Sequence, residues 1–295
     1  MGKGQKKLSR GRWREIVKRE SDKFLNFEGT VCVNVSGGSG SAEAWGRCLQ
    51  QYGRDRVIPV FADTNSEHDE TYRFLKDCER VFSQTLHRLN DGRNIWDVFD
   101  QSGILRIANA GGACKASIEL KQKPLAKFFK DCGADAIAVG IEFMEGERID
   151  RFVEKISPVK VLFPLCAKPL LGECDIHEAV RSRGIEPPSV YEEGQPHNNS
   201  RKYGCILAGV NQWAADISLN PDGFEYAKKR EQAFTEKTGF TICRDQSGGK
   251  TTPYPLGQIE QDAKGGKQFD RRWQSQCSCM EPQLKLFSED DCFDL

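Results

Sequence analysis

Residues 36–41, Ser36-Gly37-Gly38-Ser39-Gly40-Ser41, place three hydroxyls and three glycines in six consecutive positions. Such a loop suits an anion. Glycine lets the main chain approach a phosphate closely, and the hydroxyls and amide N–H groups donate to its oxygens. Just before the loop, Val31-Cys32-Val33-Asn34-Val35 is a β-branched run of the buried-strand type. Just after it, Trp45, Cys48, Leu49 and Tyr52 recur at helical spacing. Strand, glycine loop and helix start together put the positive end of a helix dipole under the loop. No Lys-Ser or Lys-Thr follows the glycines, so this is not a Walker A motif. Nor do the glycines fall at G-x-G-x-x-G, the dinucleotide fingerprint. The competing reading is a flexible Gly/Ser linker, but a linker does not usually join a buried strand directly to an amphipathic helix.

Other residues carry chemistry in types rather than in patterns. Cys277-Ser278-Cys279 lies close to Arg271 and Arg272, cations that lower a thiol pKa and favour the nucleophilic thiolate. Against that stand an incidental exposed thiol pair and half of a zinc site completed by Cys243 or Cys292. His197, followed by Asn198 and Asn199 in a Pro/Gly-rich loop, suits an acid, base or metal ligand, or equally a turn with local hydrogen bonds. Lys121 and Arg148 offer a point charge and a guanidinium fork for an anion; the alternative for each is a solvated helix face. His68 reads as a surface residue behind a helix cap.

The elements that must position these groups follow from periodicity. Strands are expected at 30–35, 57–62, 134–142 and 159–165, with a helix at 41–52 joining the first two. Asp63-Thr64-Asn65-Ser66 is a helix-cap cluster, and Thr71, Phe74, Leu75, Cys78 and Phe82 mark the helix behind it. Further helices are expected over 116–130 and 222–237. Strands alternating with helices argue for an α/β fold with a doubly wound, mostly parallel sheet. Ligands bind such sheets beyond the carboxyl ends of the strands, where Ser36–Ser41, Asp63–Ser66 and Glu142–Arg148 all fall. From Pro187 onward the chain is loop-rich, and beyond Thr238 it is rich in Gly, Gln and Lys. Three regions result: a basic N-terminal arm (1–27), a central domain (28–240) and a loop-rich C-terminal tail with its Cys-x-Cys (241–295).

Bulk composition narrows the class. The chain has 295 residues, 43 basic and 43 acidic, so no net field draws it to nucleic acid or membrane. The first 19 residues nevertheless carry Lys3, Lys6, Lys7, Arg10, Arg12, Arg14, Lys18 and Arg19 against Glu15. Such an arm can hold a nucleic acid, although a solvated terminus is the more ordinary reading. No apolar run approaches the roughly 18 residues of a membrane span, and no hydrophobic stretch follows the N-terminal charges. The expected location is therefore cytoplasmic, without a membrane partner. There the 12 cysteines are free thiols, metal ligands or redox groups rather than stable disulfides. Cys32, Cys48 and Cys78 read as plain core residues.

Taken in order, several segments resemble the phosphoadenosine phosphosulfate (PAPS) reductase family. Ser36–Ser41 is similar to its pyrophosphate loop, the PP-loop SGGxDS. Phe61-Ala62-Asp63-Thr64 through Glu70-Thr71-Tyr72 is similar to its F-x-D-T-x-x-x-x-x-E-T-Y stretch. Cys114, Lys121 and Pro124-Leu125 resemble its Cys–Lys–Pro–Leu segment, and Gly140-Ile141-Glu142 through Glu145 and Arg148 its strand end carrying an arginine. Gly184 through Tyr191, Gly194, His197-Asn198-Asn199 and Gly204-Cys205 resemble its distal part. The match is collinear over residues 28–240. It implies an adenine nucleotide α-hydrolase-like fold that binds ATP, PAPS or its unphosphorylated analogue (APS). On that implication Ser36, Gly37, Gly38, Ser39, Gly40 and Ser41 hold phosphate, and Asp63 and Thr64 sit near the ribose or an ion such as Mg²⁺. Lys121, Arg148 and His197 face the anionic groups. Cys277 or Cys279 then occupies the place of the family's nucleophilic tail cysteine, with a thiol reductant such as thioredoxin as partner.

Departures from the family pattern limit these implications. Gly40 replaces the aspartate of SGGxDS and removes a carboxylate able to meet a metal. The family's cluster-binding version uses Cys-Cys and Cys-x-x-Cys, where this chain has Ala113-Cys114 and Cys205-Ile206-Leu207-Ala208. Cys114 and Cys205 are thus an iron–sulfur remnant, and an intact [4Fe–4S] cluster, which needs further thiolates, is not favoured. Ser200 stands where a cysteine would close the H-N-N-C motif. Three functions remain: thiol-dependent sulfur chemistry on a sulfonucleotide, ATP pyrophosphatase chemistry that adenylates a substrate for nucleic-acid modification, and nucleotide binding without catalysis.

Overall fold

A computed structural model describes residues 10–106, 113–192, 202–245 and 249–269. The chain enters through α1 (Arg10–Leu25) and forms β1 (Val31–Asn34), α2 (Ser39–Tyr52), β2 (Val57–Ala62), α3 (Asp69–Phe82), β3 (His87–Leu89) and α4 (Ile95–Ser102). A second run comprises α5 (Lys115–Ser117), a π-helical turn (Ile118–Gln122), α6 (Lys123–Asp131), β4 (Ala136–Val139), α7 (Gly146–Ile156), β5 (Lys160–Leu162) and α8 (Glu173–Ser182). Last come α9 (Val210–Leu219), α10 (Pro221–Thr238), the short pair β6 (Arg244–Asp245) and β7 (Thr252–Pro253), and α11 (Leu256–Lys264).

The first five strands make one parallel sheet in the order β3-β2-β1-β4-β5. Val31 stands beside Val57 on one side and Ala136 on the other, so β1 is the central strand. Its alternating side chains feed two layers. Val31 and Val33 join Trp45, Phe74, Leu75 and Val180 from α2, α3 and α8. Cys32 faces the opposite layer with Ile16, Phe129, Ile149 and Phe152 from α1, α6 and α7. This is the doubly wound α/β arrangement that the strand–helix alternation implies. Each fully buried large apolar side chain stabilises such a layer by about 1.5–3 kcal/mol.

Four details differ from the sequence reading. The N-terminal segment is not simply a solvated arm: α1 buries Ile16 and Phe24, while Arg12 and Arg19 both pair with Asp150 on α7, at 3.1 and 2.9 Å. Its basic composition masked two apolar residues eight apart on one helix face. The strands over 134–142 and 159–165 are shorter than expected, β4 spanning Ala136–Val139 and β5 Lys160–Leu162. The cap of α3 is His68, whose Nδ1 accepts from the Glu70 N–H, rather than the Asp63–Ser66 cluster. Finally, the chain beyond Pro187 is not merely loop-rich. Trp213, Phe224, Phe234, Ile242, Leu256 and Ile259 pack with Trp96 and Phe99 of α4 into a separate helical core. That core crosses the 240/241 boundary drawn from composition.

A buried charge network locks α2 to α8 and to the turn after β5. Glu43 accepts from Arg47 at 2.8 Å and from Arg183 of α8 at 2.8 Å. Arg47, only 7% exposed, also donates to the carbonyls of Pro164, Ala167 and Pro169. Removing one member of a buried pair strands the rest, at a cost of about 3–5 kcal/mol. Arg47→Met should therefore lower unfolding stability by about 3 kcal/mol or more in urea titration; a loss below about 1 kcal/mol would show the network to be dispensable.

Candidate nucleotide-binding site

The site grows from the end of the central strand. After Val35, whose N–H bonds the Val60 carbonyl at 2.8 Å, the chain turns through Gly37 at φ 82°, a conformation that glycine adopts freely. Gly38 is the N-cap of α2 and has no side chain to cap the first turn. The loop's shape is fixed from within by Ser41: its Oγ accepts from the Ser36 N–H at 3.0 Å and donates to the Gly38 carbonyl at 2.8 Å. Ser36 Oγ lies 3.2 Å from the same hydroxyl. The main chains of the loop and of the β4 end approach closely. A Cβ on Gly140 would lie 2.5 Å from the Gly40 carbonyl oxygen.

Ser39 faces a partner that sequence reasoning missed. Nδ1 of His177, on α8, lies 2.9 Å from Ser39 Oγ, and its ring stands 4.6 Å from the Tyr191 ring. Nothing in its local spacing marks it, because only the fold brings α8 to the loop.

Beside this loop, the end of β2 carries Asp63. Its Oδ1 accepts from the Asn65 N–H at 2.9 Å and from the Tyr72 hydroxyl at 2.8 Å, and burial together with that carboxylate pushes the Tyr72 pKa up. Asp63 opens onto a cavity of about 360 Å³ walled by Leu89, Leu120, Pro124 and Phe128 and edged by Arg88. Thr64 and Lys121 meet elsewhere. Both donate to Glu67 Oε1 at 3.1 Å, and all three side chains are buried. The wide π-helical turn carries Lys121 inward, so the solvated-face reading of this lysine is overturned. Arg148 sits in the first turn of α7, half-buried, with Nη1 2.8 Å from Glu145 Oε1; Glu145 in turn accepts from the Glu142 N–H.

The strand order thus gathers three expected segments at one edge of the sheet: the loop after β1, Asp63 after β2 and Gly140–Arg148 after β4. The two remnant cysteines lie in the helical core instead. Cys114 caps α5, its sulfur accepting from the Ser117 N–H at 3.5 Å, and Cys205 packs half-buried on the same apolar cluster. Among the described residues no three His, Cys, Asp or Glu side chains converge on a metal position. His197, Cys277 and Cys279 lie outside the described residues.

No family model matches the chain, and no curated protein matches it. Solved structures do. PAPS reductase from Candida auris in a phosphate complex is similar at 13% identity and a TM-score of 0.44, over 66% of this chain and 97% of that one. The U34-tRNA thiolase NcsA from Methanococcus maripaludis, with its [4Fe-4S] cluster, is similar at 13% identity and 0.40, over 82% and 86%. The NH3-dependent NAD synthetase from Campylobacter jejuni, in complex with nitrate, is similar at 9% identity and 0.35, over 88% and 98%.

The glycine contact at the crest gives a paired test. Gly140→Ala must push the loop and the β4 end apart and should cost about 1–3 kcal/mol. Gly40→Ala, whose Cβ would stand 3.3 Å from the Gly140 carbonyl oxygen, should cost clearly less in the same urea titration. Equal losses would mean that the backbone contact does not hold the crest.

Proposed function

We propose that this protein binds an adenine nucleotide across the sheet crest, with its phosphates in the Ser36–Ser41 loop, and acts at the phosphate or sulfate end. One observation carries the reading. A glycine loop with hydroxyls opens a helix at the switch point of a parallel sheet, between β1 and β4, where α/β folds take their ligands. Collinear similarity of residues 28–240 to the PAPS reductase family supplies the nucleotide's identity.

Within that reading, sulfur chemistry is favoured. A thiolate of Cys277 or Cys279 attacks the sulfonate sulfur of PAPS or APS. A sulfur–sulfur bond forms, the bond from sulfur to the phosphate oxygen breaks, and the nucleotide leaves with the electron pair. A second thiol, from a reductant such as thioredoxin, then releases sulfite. The loop amides and Arg148 stabilise the leaving phosphate, the electrostatic role that weighs most in such sites. Lys121 takes part only by leaving Glu67, or steadies the site from behind it.

Adenylation of a substrate by ATP is the second reading, and Asp63 favours it. This carboxylate at the end of β2 suits the Mg²⁺ that accompanies ATP. Gly40 withdraws the loop's own carboxylate from the same task.

Calorimetric titration of ATP and PAPS into wild type and Gly37→Ala tests the binding claim. Alanine strains the φ 82° position, so affinity should fall about tenfold or more, or 1.4 kcal/mol, alongside a loss of about 1–2 kcal/mol in unfolding stability. Equal affinity in both proteins would remove the nucleotide from this loop. For the chemistry, the double variant Cys277→Ser, Cys279→Ser should lose thiol-dependent sulfite release from PAPS. AMP and pyrophosphate from ATP, unchanged in that variant, would establish the adenylation reading instead.

A further inference from the structure

A cavity of about 550 Å³ opens beside the later turns of α2, between α8, the end of α1 and the turn after β5. None of the residues lining it belongs to the Ser36–Ser41 loop. Its charged lining is Glu43 against Arg47, Lys168 and Arg183, one carboxylate facing three cations, and Phe24 and Leu171 supply apolar wall.

The carboxylate is already engaged on both oxygens. Glu43 Oε1 accepts from Arg47 Nε at 2.8 Å and from Arg183 Nη2 at 3.2 Å, and Oε2 accepts from Arg183 Nε at 2.8 Å. Arg47 is further satisfied by the carbonyls of Pro164, Ala167 and Pro169. Arg183 is not. Its Nε and Nη2 form the edge of the fork that holds Glu43. Nη2 reaches Gln50 Oε1 only at 3.5 Å, and Nη1 makes no hydrogen bond among the described residues. Exposed Lys168 pairs with no carboxylate among the described residues either.

Gly46 makes room for this arrangement. The guanidinium lies against α2 there: a Cβ at position 46 would stand 3.0 Å from Arg183 Cζ and 3.3 Å from its Nη1. The fork is therefore oriented before any ligand arrives. A guanidinium offers planar edges to oxyanions, and one edge remains. Surplus positive charge in a concave, partly desolvated place draws an anion more strongly than the same charge in open water.

We propose that this cavity is a binding site for a small organic oxyanion, a phosphate or carboxylate carried on a short apolar body. The remaining edge of Arg183 and the Lys168 ammonium take the oxyanion, and Phe24 and Leu171 pack on the body. The site is separate from the nucleotide loop and does not depend on what that loop binds.

Phenyl phosphate and phenylacetate are the probes, each titrated calorimetrically into the full-length protein at low salt. At least one should bind, and the one that binds names the headgroup; binding of both means that the oxyanion alone is read. In Lys168→Glu, a surface change that leaves the buried network intact, affinity for the bound probe should fall about tenfold or more. Arg183→Gln should lose it similarly. In Gly37→Ala, which alters the loop and not the cavity, affinity should stay within about twofold of wild type. Heat of binding from neither probe at millimolar concentration overturns the proposal. So does affinity unchanged in Lys168→Glu, or affinity lost in Gly37→Ala instead, which would place the anion in the loop. Lys168→Glu decides by itself if Arg183→Gln does not fold.

Discussion

The crest of the sheet depends on one contact without side chains, Gly40 on Gly140. A Cβ at position 140 would lie 2.5 Å from the Gly40 carbonyl oxygen. That closeness brings the start of α2 against the end of β4, so the Ser36–Ser41 loop and the Gly140–Arg148 segment share one edge. The position that holds an aspartate in the PAPS reductase pattern here faces a neighbouring main chain.

Charge behind the crest is arranged to hold the elements rather than to face solvent. Glu43, Arg47 and Arg183 tie α2 to α8 and to the turn after β5. Thr64, Glu67 and Lys121 join the segment after β2 to the π-helical turn. Both are buried networks, which specify arrangement more than they add stability. They leave the Ser36–Ser41 loop flanked by groups whose positions are already set, and preorganisation of this kind is what an electrostatic site needs.

Much of this was legible in the sequence where local physics decides. The β-branched run at 31–35, the glycines after it and the helical spacing of Trp45, Cys48 and Tyr52 each point to the element that forms. The alternation of strand and helix then implies a parallel, doubly wound sheet. What was not legible depends on distance along the chain. The burial of Lys121 depends on Glu67, 54 positions away, and His177 meets Ser39 across 138 positions. Two apolar residues among many basic ones hid the packing of α1. The helical core of Trp96, Trp213 and Leu256 was missed because its segments read as loops when taken singly.

The account stands on nucleotide phosphates being gripped by the turn that follows the central strand. A crystal of the protein soaked with a non-hydrolysable ATP analogue or with PAPS reads this directly. Phosphate density within hydrogen-bond reach of Ser36, Gly38 and Ser39 is the expected result. Nucleotide bound elsewhere, with residues 36–41 touching none of it, would contradict the account.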